Sequence, residues 1–194
     1  MRILRGLRIL IPVLLLLAAV AAGAAVLSAR PAIDGARSRA ETDWTPVDDR
    51  LGPHYRLLET AATRVATVVG PERTLARQVT AAISRWRTAR GGSLAAEVAA
   101  ANAVEGLGRR LVASARASQR VRADRPASAA VDTFAADPAF TLAAITPTVE
   151  TFDRAVDRYE RERTGLIRSL AADLLGAEPI PVFTPVPSTP RSAP

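Results

Sequence analysis

The sequence predicts an all-α protein: an N-terminal transmembrane helix followed by an antiparallel three- to four-helix bundle with long helices. Three observations predict it. Residues 9–27, ILIPVLLLLAAVAAGAAVL, form an uncharged run of 19. Downstream, apolar residues recur at alternating spacings of three and four, the period of a helix face. The composition favours alanine, leucine and arginine, strong helix formers, with 4% aromatic residues and no alternating β-branched run.

Residues 1–8 are a basic leader carrying Arg2, Arg5 and Arg8. The run behind it makes a helix of roughly 28 Å, close to the hydrocarbon thickness of a bilayer. A basic leader, an apolar core and the small-x-small sequence Ala22-Gly23-Ala24 are also the layout of a secretory signal peptide. The alternative is therefore a secreted helical protein with residues 1–24 cleaved. The apolar run continues past that sequence to Leu27, which favours an uncleaved anchor at 9–27 whose partner is the lipid bilayer. Pro12 falls in the first turns, where a helix tolerates it. Arg2, Arg5 and Arg8 precede the run, and Arg30, Arg37 and Arg39 follow it. Orientation follows basic residues. The two sides nearly balance, with a lean to a single-pass protein of the cell membrane whose body is extracytoplasmic.

Residues 28–45 read as a stalk, because Pro31 and Asp34-Gly35 interrupt a helix leaving the membrane. A bundle over 46–176 follows. Its first helix starts at Thr45-Pro46, a cap and a first-turn proline. Gly52-Pro53 kinks it. Leu51, Tyr55, Leu58, Ala62, Val65 and Val69 form its stripe, and Gly70-Pro71 ends it. The second helix, from Glu72 to Arg90, carries Leu75, Val79, Ala82 and Trp86 and closes at Gly91-Gly92. Ser93 caps the third. Leu94, Val98, Ala101, Val104, Leu107 or Gly108, Leu111 and Ala115 mark its buried face, and it fades near Arg125-Pro126. A looser segment, 126–147, is tied down by Val131, Phe134, Phe140, Leu142 and Ile145. The last helix begins near Thr146 or Thr148. Val149, Phe152, Val156, Tyr159, Leu166 and Leu170 lie on its stripe, and it ends at Leu174-Leu175-Gly176. Arg163 falls on that stripe and needs Glu160 or Glu162 as a partner, or a route to water. Residues 177–194 hold six prolines and read as a Pro-rich disordered tail.

The net charge is +7, and every basic residue is arginine. Residues 1–43 carry six arginines and three acids, and the body, 44–176, carries 19 arginines and 15 acids. In the body the signs are interleaved, as on a solvated helix face, whereas a nucleic-acid binder concentrates its charge. No nucleic acid is expected as a partner. The absence of cysteine excludes disulfides, thiolate chemistry and cysteine zinc sites.

No motif for chemistry emerges. His54 is the single histidine, and its neighbours Asp48, Asp49 and Glu59 are not spaced as co-ligands. It reads as a surface or half-buried structural residue. Asp48-Asp49 fits the first turn of a helix, where acids favour the dipole. Gly106-Leu107-Gly108 lacks the preceding strand of a phosphate loop and reads as a site of close helix approach. No catalytic residue, cofactor, metal or small-molecule substrate is expected, and the protein is not expected to be an enzyme. The densest basic run, Arg109, Arg110, Arg116, Arg120, Arg122 and Arg125, is the candidate partner contact.

Phe152, Val156 and Tyr159 in FDRAVDRYERERTGLI supply an aromatic, an aliphatic and an aromatic residue at helical spacing. Leu174-Leu175-Gly176-Ala177-Glu178-Pro179 follows, then Phe183. With the N-terminal run, Trp44, Asp48, Leu51 and Tyr55-Arg56-Leu57-Leu58, and with Arg125-Pro126 and Phe134, this resembles the LemA family of bacterial membrane proteins over about residues 1–183. Asp153 and Glu160 stand where that family places asparagines after its aromatics, so the resemblance is to a divergent member. It implies an antiparallel helical bundle on a membrane anchor. The function expected is a scaffold or interaction role at the bacterial cell envelope, with an unidentified protein as a possible partner. The alternative is a ligand-sensing extracytoplasmic bundle coupled to another membrane protein.

Overall fold

In the computed structural model the described residues are 3–186, and the side chains of 3–19, 21, 22, 25, 166 and 167 lie outside the description. Every described element is helical. The α-helices are α1 Ile3–Thr67, α2 Glu72–Ala89, α3 Leu94–Ala117, α4 Gln119–Ala123, α5 Arg125–Ala135, α6 Leu142–Arg163 and α7 Leu166–Leu174. A 3-10 turn covers Pro138–Phe140. The chain divides into two compact units, Met1–Ala40 with Ala155–Pro179 and Glu41–Arg154 with Ile180–Pro194.

Residues 9–27 have helical backbone within α1. Most of their side chains lie outside the description. Among the described residues no helix is long and apolar enough to cross a membrane, so the expected anchor has no support there.

The expected stalk is instead helix. Residues 28–45 belong to α1, and Arg30 and Asp34 form an i,i+4 pair at 3.3 Å along it. Nor does Thr45-Pro46 start a helix, since α1 runs through it and through Gly52-Pro53; Thr45 donates its hydroxyl to Glu41 O at 3.3 Å. A proline inside a helix strips the carbonyl four residues earlier of its donor. For Pro31, Pro46 and Pro53 those carbonyls belong to Leu27, Thr42 and Asp49, all exposed residues.

In the unit Glu41–Arg154 with Ile180–Pro194, Trp44, Val47, Leu51, Tyr55, Leu58, Ala62 and Val65 of α1 are buried. This is the expected stripe begun two turns early. Val69 leaves it, since α1 stops at Thr67 and Val69 is 71% exposed. Helix α2 buries Ala76, Val79, Ala82, Ile83 and Trp86. A short turn returns the chain as α3, which packs along α2. Ser93 caps α3 by accepting the Ala96 N–H at 3.2 Å. Gly108, not Leu107, is the buried position on α3, and a Cβ there would stand 3.1 Å from Leu58 Cδ2. Gly106 meets nothing within 4 Å. Of the two glycines, only Gly108 serves close approach.

The segment expected to be loose is mostly helix. Ser118 and Asp124 accept the Val121 and Ala127 N–H groups at 3.5 and 2.9 Å, capping α4 and α5. Pro126 therefore opens a helix, where its missing N–H costs nothing. Helix α6 starts at Leu142, ahead of Pro147, and Leu142 is exposed. Val131, Phe134, Phe140 and Ile145 are buried, as expected of anchors to the core.

In the unit Met1–Ala40 with Ala155–Pro179, Ile33, Ala36, Ala40, Val156, Tyr159, Ala171 and Ala172 are buried. Gly165, at φ 114°, separates α6 from α7. Leu170, expected on the stripe, is therefore 50% exposed on α7. Arg163 meets Glu160 at 3.5 Å, lies over the Tyr159 ring and donates to Ala177 O at 3.3 Å. Gly176, at φ 63°, ends the chain of helices. The Ala177 N–H reaches Ala172 O at 2.8 Å and the Gly176 N–H reaches Asp173 O at 3.2 Å, a Schellman closure.

Residues 177–186 are extended, as their prolines require, yet Ile180 and Phe183 are buried, so this part of the expected tail is ordered. Residues 187–194, with the Pro187-Ser188-Thr189-Pro190 sequence, lie outside the described residues.

Candidate functional site

The six nominated arginines are all exposed. Arg109, Arg110 and Arg116 belong to α3, Arg120 and Arg122 to α4, and Arg125 opens α5. Helical spacing puts Arg109 and Arg116 on one face of α3, with Arg110 about a quarter turn away. They do not line one surface. Arg109 and Arg110 border an open cleft of about 520 Å³ with Asn102, Gly106 and Thr184. Arg116 and Arg122 border another, about 190 Å³, with Ala115, Val121, Ser128, Val131 and Asp132. Arg120 donates to Val69 O at 3.1 Å and holds the turn after α1.

Three buried polar clusters lie in the same unit, and none was visible along the sequence. In the first, His54 is 1% exposed, a correction to its expected surface or half-buried place. Its ring stacks on Phe140 at 3.7 Å and leans on Phe134 at 4.6 Å. Nδ1 lies 2.8 Å from Asp137 Oδ2. Asp137 Oδ1 accepts the Ala139 N–H at 3.0 Å and caps the 3-10 turn. A carboxylate only accepts, so Nδ1 carries the proton. Burial lowers the His54 pKa and outweighs the raising effect of Asp137, keeping the ring neutral. Nε2 has no hydrogen-bond partner among the described residues. An oriented neutral imidazole is the chemistry of a general base, but a base needs reach to its substrate. In this conformation the aromatic stack closes His54 from solvent.

The second cluster surrounds Trp44, whose Nε1–H donates to Glu97 Oε1 at 2.9 Å. Burial raises the Glu97 pKa, with the Trp44 bond opposing and the Asp48 charge adding to the rise. Asp48 pairs with Arg90, whose guanidinium lies 5.2 Å over the Trp86 ring. Asp48 thus sits mid-helix on an arginine and not in a first turn; Asp49 is exposed. A cleft of about 200 Å³ opens here between Glu41, Trp44, Asp48 and Glu97.

The third is Glu105, 3% exposed on α3. Burial pushes its pKa up to about 7, against the opposing Val186 N–H, Tyr55 hydroxyl and Arg109 charge. Tyr55 donates to Ala101 O at 3.2 Å beside it. Glu105 Oε2 accepts the Val186 N–H at 2.8 Å. Asn102, one turn earlier, donates to Val182 O at 2.8 Å and accepts the Thr184 N–H at 2.9 Å.

One signal marks two of these residues, His54 and Glu105, though not their partners. His54 falls three after Leu51 and four before Leu58, and Glu105 four after Ala101 and three before Gly108. Each is a polar residue on an apolar stripe, and a buried polar group demands a partner. Among the described residues no group of three or more His, Asp or Glu is placed to hold a metal ion. Comparison with family models, curated proteins and solved structures finds no match to this chain.

Proposed function

We propose that this chain is a single-pass, membrane-anchored helical-bundle protein with a scaffold or interaction role at the bacterial cell envelope, and that it is not an enzyme. The observation that carries the reading is the uncharged run Ile9–Leu27 behind Arg2, Arg5 and Arg8. Its length matches a bilayer core, and its lack of charge avoids the cost of ions in hydrocarbon. The resemblance to the LemA family supports the same placement. The interaction role is supported by exposed Arg109, Arg110, Arg116, Arg122 and Arg125, whose guanidiniums suit an acidic protein partner. With the body extracytoplasmic, nucleic acid is an unsuitable partner for them.

Carbonate extraction of membranes combined with N-terminal sequencing tests the anchor. Retention with Arg2 still present supports it. Release with a new terminus after Ala24 replaces it with the secreted reading. Crosslinking in intact membranes tests the interaction role, with the wild-type chain compared against R109E/R110E/R116E. A crosslinked partner lost in that variant supports the role, and recovery of the isolated monomer alone counts against it.

A further inference from the structure

We propose that the C-terminal segment 180–186 is a detachable latch on α3, held by Asn102 and released when Glu105 loses its proton.

The segment has no helix of its own to satisfy its backbone. Val182 O, Thr184 N–H and Val186 N–H alternate along one edge of the extended chain and are met by Asn102 and Glu105. These two side chains lie three residues apart on one face of α3. Ile180 and Phe183 are the apolar anchors, and the Phe183 ring meets Trp44 edge-on at 5.3 Å. Val182 and Thr184, on either side of Phe183, are exposed. Pro181 and Pro185 carry no N–H, which keeps the segment extended and leaves few further bonds to break on release. A segment held by side-chain contacts and two apolar anchors can leave without unravelling a helix.

Glu105 makes that release pH-dependent. The groups facing it are the Tyr55 hydroxyl from α1, Arg109 on α3 itself and the Val186 N–H of the latch. Among the described residues no salt bridge reaches it, and Oε1 has no hydrogen-bond partner. With the latch docked, burial holds the carboxyl up at about 7. On this proposal detaching the latch opens the carboxyl to water and relieves its burial, so docking takes up a proton. Docking is strongest below the detached pKa, weakens as pH rises toward about 7, and is weakest above it.

The test is chymotryptic cleavage after Phe183 in the full chain, held in detergent micelles, at pH 6 and pH 8. Each rate is divided by that of a free peptide covering residues 177–194, which removes the protease's own pH response. Cleavage from the open state follows the open population when reclosing is fast. The normalised rate should rise about tenfold from pH 6 to pH 8, the ratio expected for one proton with a docked pKa near 7. Glu105→Gln should stay protected at both pH values, and Asn102→Ala should be cleaved faster at pH 6. Protonation of His54 would loosen the fold at low pH, the opposite sign, and cannot mimic this rise. Equal normalised rates for the wild type overturn the proposal by themselves, even if a variant does not fold. So does a Glu105→Gln chain that keeps the wild-type response, or an Asn102→Ala chain cleaved no faster.

Discussion

His54 Nδ1 meets Asp137 Oδ2 at 2.8 Å across 83 residues of chain, with both side chains closed from water. The contact ties the C-terminal part of α1 to the turn between α5 and α6, and Asp137 also caps that turn through the Ala139 N–H. One carboxylate thereby orients a ring and starts a helical turn. The histidine adds an aromatic surface for Phe134 and Phe140.

A pH dependence follows from this pair. The folded His54 has its pKa lowered by burial, while the unfolded chain takes a proton near the ordinary 6.5. Below that value the unfolded state binds more protons, so this residue's contribution to stability falls as pH falls. Glu105 acts in the opposite sense, so the comparison must isolate His54. The difference in melting temperature between wild type and His54→Gln should shrink from pH 7.5 to pH 5.5. A difference that is constant or grows toward acid would show that His54 is charged in the folded state.

Trp44 and Glu97 make a second prediction. Trp44→Phe keeps a ring near Phe152 and Phe183 but removes the donor from Glu97 Oε1. A buried acceptor left without its donor costs about 1–3 kcal/mol. Urea denaturation should show a loss of that size. Removing the acceptor as well, in Trp44→Phe with Glu97→Leu, should recover part of it, since both polar partners are then gone. If the double variant is as unstable as the sum of the singles, the two side chains do not interact.

The helical class and most of the buried faces were legible in the sequence, because three-four periodicity is a local property. Leu51 to Val65 and Val79 to Trp86 follow from it, and the closure at Gly176 follows from glycine's access to positive φ. Pro31, Pro46 and Pro126 misled because a proline is not a break in itself. The first two lie inside α1, and the third opens α5. The polar pairs were out of reach for a different reason. Trp44 with Glu97, His54 with Asp137 and Asn102 with Val182 are 53, 83 and 80 residues apart. No local pattern joins them; only a polar residue on an apolar stripe hints that a partner exists.

The two glycines of α3 should respond to alanine with different signs. Gly106 is exposed and a Cβ there meets nothing within 4 Å. Gly106→Ala should stabilise the fold by roughly 0.5–1 kcal/mol, the helix-interior difference between the two residues. Gly108 is buried, and its new Cβ would press Leu58 Cδ2 at 3.1 Å. Gly108→Ala should gain nothing or lose about 1 kcal/mol as the seam is forced apart. Chemical denaturation of both variants checks the ordering, and a larger gain at Gly108 would mean that α1 and α3 are not in close contact there.

Leu58 is the other side of that seam. It is 1% exposed, on the stripe of α1 between Tyr55 and Ala62. Its methyl groups occupy the space that Gly108 leaves open, so a carboxylate there is held inside the seam. Leu58→Asp removes a packed aliphatic group and places an unpaired carboxylate among apolar neighbours. The two costs together exceed about 4 kcal/mol, a large share of the stability of a domain. The variant should lose its cooperative melting transition by circular dichroism. Thr63→Asp, at an exposed position on the same helix, should stay within about 0.5 kcal/mol of wild type. That control separates the effect of burial from the weak helix propensity of aspartate. An unchanged melting curve for Leu58→Asp would place this face of α1 in solvent and dissolve the core built around it.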